Sequence, residues 1–486
     1  MKRNTLCLSL LLGLGICSTP VHALDLVEAF NAALLNDPTY QVTVAQKAAT
    51  DAQRKQARAA LMPTIGLTGS FLHTNTRNTS TFLGTSGTSD VRKTYPANLT
   101  ISFTQPLLEI DKITAFKQID LNTDSGALQL AQARQDLINR VIQAYFNALL
   151  AEKNATIAAE QERNTALQLK IVKRSFDVGN TTIIDTNEAE AAYYRAKAAA
   201  INAASTAENA RSALADMMGR DIDPKEKLAT LSTPLHLKMP VPDTQDKWVA
   251  RARDESYAIQ IAKLAYKVAE LDVTRKAQQH LPVVNFVANQ VWKSTSLNRA
   301  SDVSTSAQSF GFEVSMPIFD GGLIGAQVLE SEALKTKSYQ NLRAVENQVA
   351  QTTRTAYNQA VSGLATIAAL QAAQKSASAS VKSNEIGRSL GMRINIDVLN
   401  AEQTHAQTQY DLAQAVYNTV LGNVNLKAAI SKLGDEDVVF INSLLDTKPQ
   451  PVATQNPSLL QDKGLDSGDA QHVINRTQDP KTLPAQ

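Results

Sequence analysis

The chain has 486 residues, with 48 Lys or Arg against 46 Asp or Glu, so it has no basic excess that would attract a nucleic acid. Aromatic residues make up only 5%, and no proline occurs between Pro106 and Pro224 or between Pro317 and Pro449. Because an interior proline disrupts a helix, these gaps permit very long helices and argue against a series of ordinary globular domains.

Residues 1–23 have the pattern of a secretory signal peptide. A basic start precedes an apolar run over 6–16, and small residues just before Leu24 offer a cleavage site. The run is too short to remain as a membrane-spanning helix. Lipid attachment at Cys17 is the alternative, but the large residue before it does not fit such sites. Because Cys7 and Cys17 both lie in this segment, the exported protein is predicted to have no disulfide.

The rest of the chain contains two copies of one pattern. Matching residues occur in the same order and about 210 positions apart: Pro63 and Pro282, Pro106 and Pro317, Tyr145 and Tyr357, Gly179 and Gly391. We therefore predict a tandem duplication, with one repeat over 24–233 and a second over 234–445. The polar, proline-rich tail over 446–486 is predicted to be flexible.

Each repeat begins with a helical segment, over 24–61 and again over 246–280. Two strands follow in each, near 64–72 and 98–105 in the first repeat and near 283–292 and 309–316 in the second. Apolar and polar residues alternate along them, least cleanly in 283–292, and this period of two is typical of outer-membrane strands with one face toward lipid. A soluble four-stranded sheet is the alternative. It is disfavoured because three of the strands carry no charge and no neighbouring helix signal would cover the apolar face.

The segments between paired strands, His73–Tyr95 and Lys293–Gln308, are rich in Ser and Thr and are predicted to be solvent-facing loops. After each strand pair the sequence predicts a long helix and a returning helix, together spanning 126–219 and 328–433. Helices of this length need neighbours to bury them. Alanine dominates their apolar positions, which favours broad packing against two neighbours over an ordinary leucine-rich coiled coil.

Four membrane strands cannot close a barrel, and an open edge in lipid leaves backbone groups without partners. Three copies supply twelve strands and twelve long helices, enough for a water-filled pore continued as a helical tube. The strand count alone therefore predicts a homo-oligomeric membrane pore that continues as a helical tube.

The chain resembles the TolC family of outer-membrane efflux proteins over nearly the whole of its predicted exported length. The residues that carry the resemblance are Leu24–Phe30 with Asn36-Asp37-Pro38, Leu61-Met62-Pro63, Leu281-Pro282, Gln105-Pro106-Leu107, Met316–Gly322 and the turns Gly179–Asp185 and Gly391–Asp397. The resemblance implies an α+β membrane protein: a homotrimer in outer-membrane lipid with a 12-stranded β-barrel, four strands per chain, continued as a 12-helix periplasmic α-barrel. It implies docking of this trimer to a periplasmic adaptor (membrane fusion) protein. It also implies an inner-membrane transporter of the RND or ABC type and an exit duct for drugs or secreted polypeptides.

The two turns are candidate gate sites. Asp185, followed three residues later by Glu188, has the signature of a helix N-cap, and Asp397 begins its helix similarly. Both aspartates can be caps alone. In a trimer, however, Asp397 would form an acidic ring that attracts cations. The resemblance implies such a ring at the periplasmic entrance, but the next family acid is Asn400 here, which puts strong cation block in doubt.

Arg393 matches a family arginine that bonds to the neighbouring turn and holds the entrance shut, and its expected acceptor is Asp185. Arg388 stands where the best-known member of the family has a tyrosine, and it could reach the same carboxylate. The alternative is that both arginines are solvated surface residues.

We predict no catalytic residue, no metal site and no cofactor, because the six histidines are scattered and no phosphate loop or nucleophile elbow is present. Energy for transport must then come from a partner. The competing interpretations are a trimeric membrane-anchored stalk without a pore and a secreted enzyme.

Overall fold

The computed structural model describes residues 23–82, 85–223, 226–231, 239–242, 244–297 and 301–446. The predicted signal peptide over 1–23 and the predicted tail over 446–486 lie outside these residues, apart from their boundary positions. The described part is a β-sheet from which very long helices extend, with a helical core layer partway along them.

Among the described residues the helices are α1 Leu26–Asn36, α2 Pro38–Ala59, α3 Ile110–Asp177, α4 Ile183–Met218, α5 Gln245–Glu255, α6 Tyr257–Gln278, α7 Leu323–Ser389, α8 Asn395–Ala429 and α9 Asp435–Asn442. The 68 residues of α3 and the 67 of α7 correspond to about 100 Å each. None of the helices in the described part of the chain is both long enough and apolar enough to cross a membrane.

Helix α3 begins sixteen residues before its predicted start near residue 126, so Gly126 lies inside it. A Cβ at this glycine would lie 3.3 Å from Lys47 Cδ and 3.7 Å from Thr50 Cβ, on α2. Gly126 is therefore an interior residue that lets α2 approach α3 closely, and it is not a helix boundary.

The strands are β1 Thr64–Phe71, β2 Thr74–Phe82, β3 Thr85–Leu108, β4 Val283–Leu297 and β5 Ser301–Ser315. They form one antiparallel sheet in the order β1-β3-β4-β5, and β2 pairs with β3 beyond the end of β1. The loop predictions for His73–Tyr95 and Lys293–Gln308 are therefore wrong, since most of both segments is strand. Thr favours extended backbone, and residues that are polar on both faces lose the period of two on which the strand prediction depended.

One face of the sheet is apolar and exposed in the single chain. The register places Ile65 opposite Phe103, Phe103 opposite Ala288 and Ala288 opposite Phe310. Ile65 and Phe310, on the outermost of these strands, are 76% and 83% exposed. An apolar face of this extent marks a surface that lipid or a partner covers.

The main core lies midway along the helices, where α1, α9 and the ends of α4 and α8 pack against the middle of α3. The fully buried Tyr145 of α3 places its hydroxyl 2.8 Å from the carbonyl oxygen of Leu24 and 3.0 Å from that of Ala229. The segment at Leu24 is thereby fixed against α3. Beyond this layer, α3 with α4 and α7 with α8 continue as two helical hairpins.

Candidate gate at the helical tips

Both hairpins end in the same backbone turn. Gly179 and Gly391 follow the last residues of α3 and α7 with φ of +79° and +72°. The N–H of Asn180 donates to the carbonyl of Ser175, and that of Met392 donates to the carbonyl of Gly387, each at 2.8 Å. This pattern ends a helix with a left-handed residue, which glycine adopts without strain. The two turns, residues 178–182 and 390–394, are called the tips below.

Asp185 is not the N-cap residue of its helix, which corrects the sequence-based assignment, but the N3 residue of a capping box. Helix α4 begins at Ile183, Thr182 is the N-cap, and Asp185 is the third helical residue. One carboxylate oxygen, Oδ2, accepts from Thr181 Oγ1 at 2.8 Å, from Thr182 Oγ1 at 2.6 Å and from the Thr182 N–H at 3.0 Å. These bonds, led by the one from the Thr182 hydroxyl, lower the pKa of Asp185.

Asp397 occupies the corresponding position of α8 with fewer partners. It is the third residue of a helix that begins at Asn395, after Ile394. The Ile394 N–H donates to Asp397 Oδ2 at 3.4 Å, and Arg393 Nη1 lies 3.7 Å from the same oxygen. Because isoleucine has no hydroxyl, the reciprocal bond that Thr182 makes in the first hairpin cannot form here.

The two arginines differ in their surroundings. The Arg393 side chain is 59% exposed and has Asp397 as its ion-pair partner. Arg388 points between helices instead, where Nη1 donates to Gln168 Oε1 of α3 and, at 3.3 Å, to Asn395 Oδ1 of α8. Within one chain neither arginine bonds to Asp185, so those two bonds stay predictions for contacts between copies.

Asn400 lies on α8, one turn beyond Asp397, and its side chain is exposed. It lines a groove of about 480 Å³ between α3, α4 and α8, together with Arg195 of α4 and Gln403 of α8. The five predicted residues therefore lie at or near the tips. Asp185 is on the first hairpin, and the second hairpin carries Arg388, Arg393, Asp397 and Asn400.

Sequence reasoning missed a buried acid behind the second tip. Glu402 is only 8% exposed, and its Oε2 has no hydrogen-bond partner. Burial raises the pKa of this carboxyl, and the nearby carboxylate of Glu385 adds to the effect. The signal was its spacing, because residue 402 lies three and four positions after the buried Leu399 and Val398, on one helix face.

The chain matches the family described as "Outer membrane efflux protein" over residues 29–220 and 248–432. It is 25% identical over 466 residues to the outer membrane protein TolC of Escherichia coli, which covers 93% of this chain and 92% of that protein. It is 26% identical over 422 residues to the alkaline protease secretion protein AprF of Pseudomonas aeruginosa, covering 86% and 87% of the two chains.

The fold is similar to that of the outer membrane protein VceC from Vibrio cholerae. The two structures superpose with a TM-score of 0.69 at 17% identity, over 84% of this chain and 96% of the other. At this identity the likeness concerns the fold. It agrees with the part of the sequence-based prediction that expects a mostly helical chain with one sheet.

Proposed function

Because the chain belongs to the outer membrane efflux protein family, we propose that it is the outer-membrane exit duct of a tripartite efflux pump, a type I secretion system or both. It passes drugs or polypeptides passively from the periplasm to the exterior. The name of one relative, an alkaline protease secretion protein, supports polypeptide cargo, and the description of the family supports efflux. Chemical catalysis is not part of the proposal.

The observation that carries this function is the division of the chain into a sheet with an exposed apolar face and two helical hairpins whose longer helices, α3 and α7, are about 100 Å long. The sheet is suited to lipid and the hairpins to the periplasm. Residues 24–233 and 234–445 are proposed to be tandem repeats, since each contributes two short helices, strands and one hairpin in the same order.

The assembly is proposed to be a homotrimer. Among the described strands β1 and β5 each pair along one edge only, and unpaired edges in lipid cost several kcal/mol per backbone group. Joining β5 of one copy to β1 of the next satisfies both edges. Since β2 lies beside β3 beyond the end of β1, each copy supplies four strand positions, and three copies close a 12-stranded barrel. The tube of twelve helices below it docks to a periplasmic adaptor and an RND or ABC inner-membrane transporter.

The gate is proposed to lie at the tips, where Arg393 and Arg388 of one copy bond to Asp185 of the next. Asp185 Oδ2 accepts three bonds within the chain, whereas Oδ1 accepts none of them and can take an arginine N–H. Arg393 is mostly exposed, and its own ion pair is long at 3.7 Å. Charge-assisted bonds of this kind contribute about 1.5–3 kcal/mol each, so a few per trimer can hold the tube closed.

The test is single-channel conductance of the purified trimer in planar bilayers, comparing wild type with Arg388→Ser plus Arg393→Ser. We expect a small wild-type conductance that rises several-fold in the double variant. The matched control is Arg343→Ser plus Arg354→Ser, which removes two exposed arginines from α7 far from the tip and should leave the conductance unchanged.

Two results would count against parts of the proposal. If the variant conducts like the wild type, the duct stands and the gate assignment fails. If folded, trimeric protein forms no channels at all, the pore itself fails, and a membrane-anchored structural stalk becomes the better interpretation.

A further inference from the structure

Gly387, in the last turn of α7, lies directly beneath the side chain of Arg393. A Cβ built on this glycine would be 2.8 Å from Arg393 Cγ and 3.5 Å from Arg393 Cβ. The first distance is shorter than carbon atoms tolerate. Gly387 is buried although it has no side chain, which agrees with the arginine stem lying across it.

The arginine cannot simply move aside as a unit, because its backbone is fixed to the same residue. The N–H of Arg393 donates to the carbonyl of Gly387 at 3.2 Å, and that of Met392 donates to it at 2.8 Å. Since Cγ is the first atom beyond Cβ, relieving the contact requires a different χ1 rotamer and redirects the whole guanidinium.

The first hairpin shows that the turn itself does not require glycine at this position. Ser175 is the equivalent of Gly387, and its carbonyl accepts from Asn180 at the same 2.8 Å. The residue that corresponds to Arg393 there is Thr181, which has no long stem to accommodate. The two hairpins share the turn and differ in the side chain that lies over it. The hairpin with a long arginine side chain is the one that has glycine beneath it.

From this comparison we infer that Gly387 is a positioning residue for Arg393: it provides the slot in which the aliphatic stem lies, so that the guanidinium is presented at the tip. The inference rests on the proposed gate, in which Arg393 is the residue that bonds across copies. A substitution at position 387 that adds only a methyl group should then weaken the gate without touching any charge.

The experiment measures conductance of the full-length trimer for wild type, Gly387→Ala, Arg393→Ala and the double variant. We expect Gly387→Ala to raise the conductance several-fold, and to add nothing when Arg393 is already alanine, because the Cβ–Cβ distance of 3.5 Å is an ordinary contact. Gly387→Ser repeats the test with the residue found at position 175, and Ser175→Ala is the matched control that should leave conductance unchanged. If Gly387 had only a structural role in α7, Gly387→Ala would stabilise the helix and would not raise the conductance, since alanine has a higher helix propensity than glycine.

An equal effect of Gly387→Ala in both backgrounds would overturn the inference, because the methyl group would then act through the turn. The inference would also be overturned if Gly387→Ala had the conductance of wild type while Arg393→Ala opened the channel. If Arg393→Ala itself has no effect, the gate fails, and the structure of the Gly387→Ala trimer by cryo-electron microscopy decides the positioning role separately. A displaced Arg393 stem supports it, and an unmoved stem refutes it.

Discussion

The two aspartates at the tips occupy the same helical position, but their hydrogen-bond partners differ. Asp185 accepts hydrogen bonds from the hydroxyls of Thr181 and Thr182. The helix of Asp397 has Ile394 at the N-cap position, so Asp397 has one weak backbone bond and one long ion pair. A carboxylate with fewer partners is better able to face an ion in the lumen. We therefore assign the first carboxylate to the closed gate and the second to the electrostatics of the entrance.

This assignment predicts that Asn400→Asp strengthens cation block. Three added carboxylates, one per copy and one helical turn from Asp397, increase the negative potential at the entrance. A trivalent cation added on the periplasmic side of a planar bilayer should block the current at a concentration at least several-fold lower than for wild type. Asp397→Asn should weaken block, and Asn202→Asp, which adds an exposed acid on α4, is the matched control. Equal block by the two Asn→Asp variants would contradict the assignment.

At the scale of helices, the buried Glu402 opposes the packing of α8 against α3 near neutral pH. Its folded pKa is raised above the ordinary 4.5 by burial. A group with a raised folded pKa contributes stability that is fully present below the unfolded pKa and is lost as pH rises through the folded value. The helix contact is thus strongest in acid and weakens as the carboxyl ionises, in the opposite sense to Asp185, whose lowered pKa favours stability at higher pH.

Glu402→Gln should remove this pH dependence. The glutamine stays neutral at every pH, so the cost of holding a buried charge is absent from the variant. At pH 7.5, hydrogen exchange of residues 160–170 and 398–406 should therefore slow by about fivefold or more relative to wild type, while at pH 4 the two proteins should converge. Glu208→Gln, at an exposed site on α4, is the control. A wild-type pH profile in the Glu402→Gln protein would show that the acid is not the titrating group.

The sequence predicted the elements that have one strong period and missed those that do not. The strand at Thr64–Phe71 alternates strictly, whereas the strand residues at Thr74–Phe82 are polar on both faces and resemble a loop. The start of α3 was predicted near residue 126, whereas Gly126 lies inside the helix, where the missing side chain makes room for Lys47 and Thr50 of α2, a tertiary contact. The candidate site shows the same limit. The glycine pattern was enough to place Arg393 and Asp397 at a turn, but the N-cap role of Thr182 and the burial of Glu402 depend on contacts that the sequence does not show.

For the whole molecule, the lengths of the helices set the distance between the sheet and the tips. The sheet and the tips are separated by about 100 Å of α3 and α7, and the main core sits between them. Strand β2 lies at the end of the sheet away from the helices, and Met392 lies at a tip, where it is 71% exposed. An exit duct places the first outside the cell and the second in the periplasm, whereas a surface stalk reverses them.

Single cysteines distinguish these arrangements cleanly, because the only cysteines of the chain, Cys7 and Cys17, fall in the predicted signal peptide. With a membrane-impermeant thiol reagent on intact cells, Asn75→Cys on β2 should be labelled, since Asn75 is exposed. Met392→Cys should remain unlabelled until the outer membrane is permeabilised, and then react at least tenfold more. The cysteine-free protein gives the background. Labelling of Met392→Cys on intact cells would mean that the hairpins project outward, and in that arrangement neither the adaptor nor the gate at Arg393 could act as proposed.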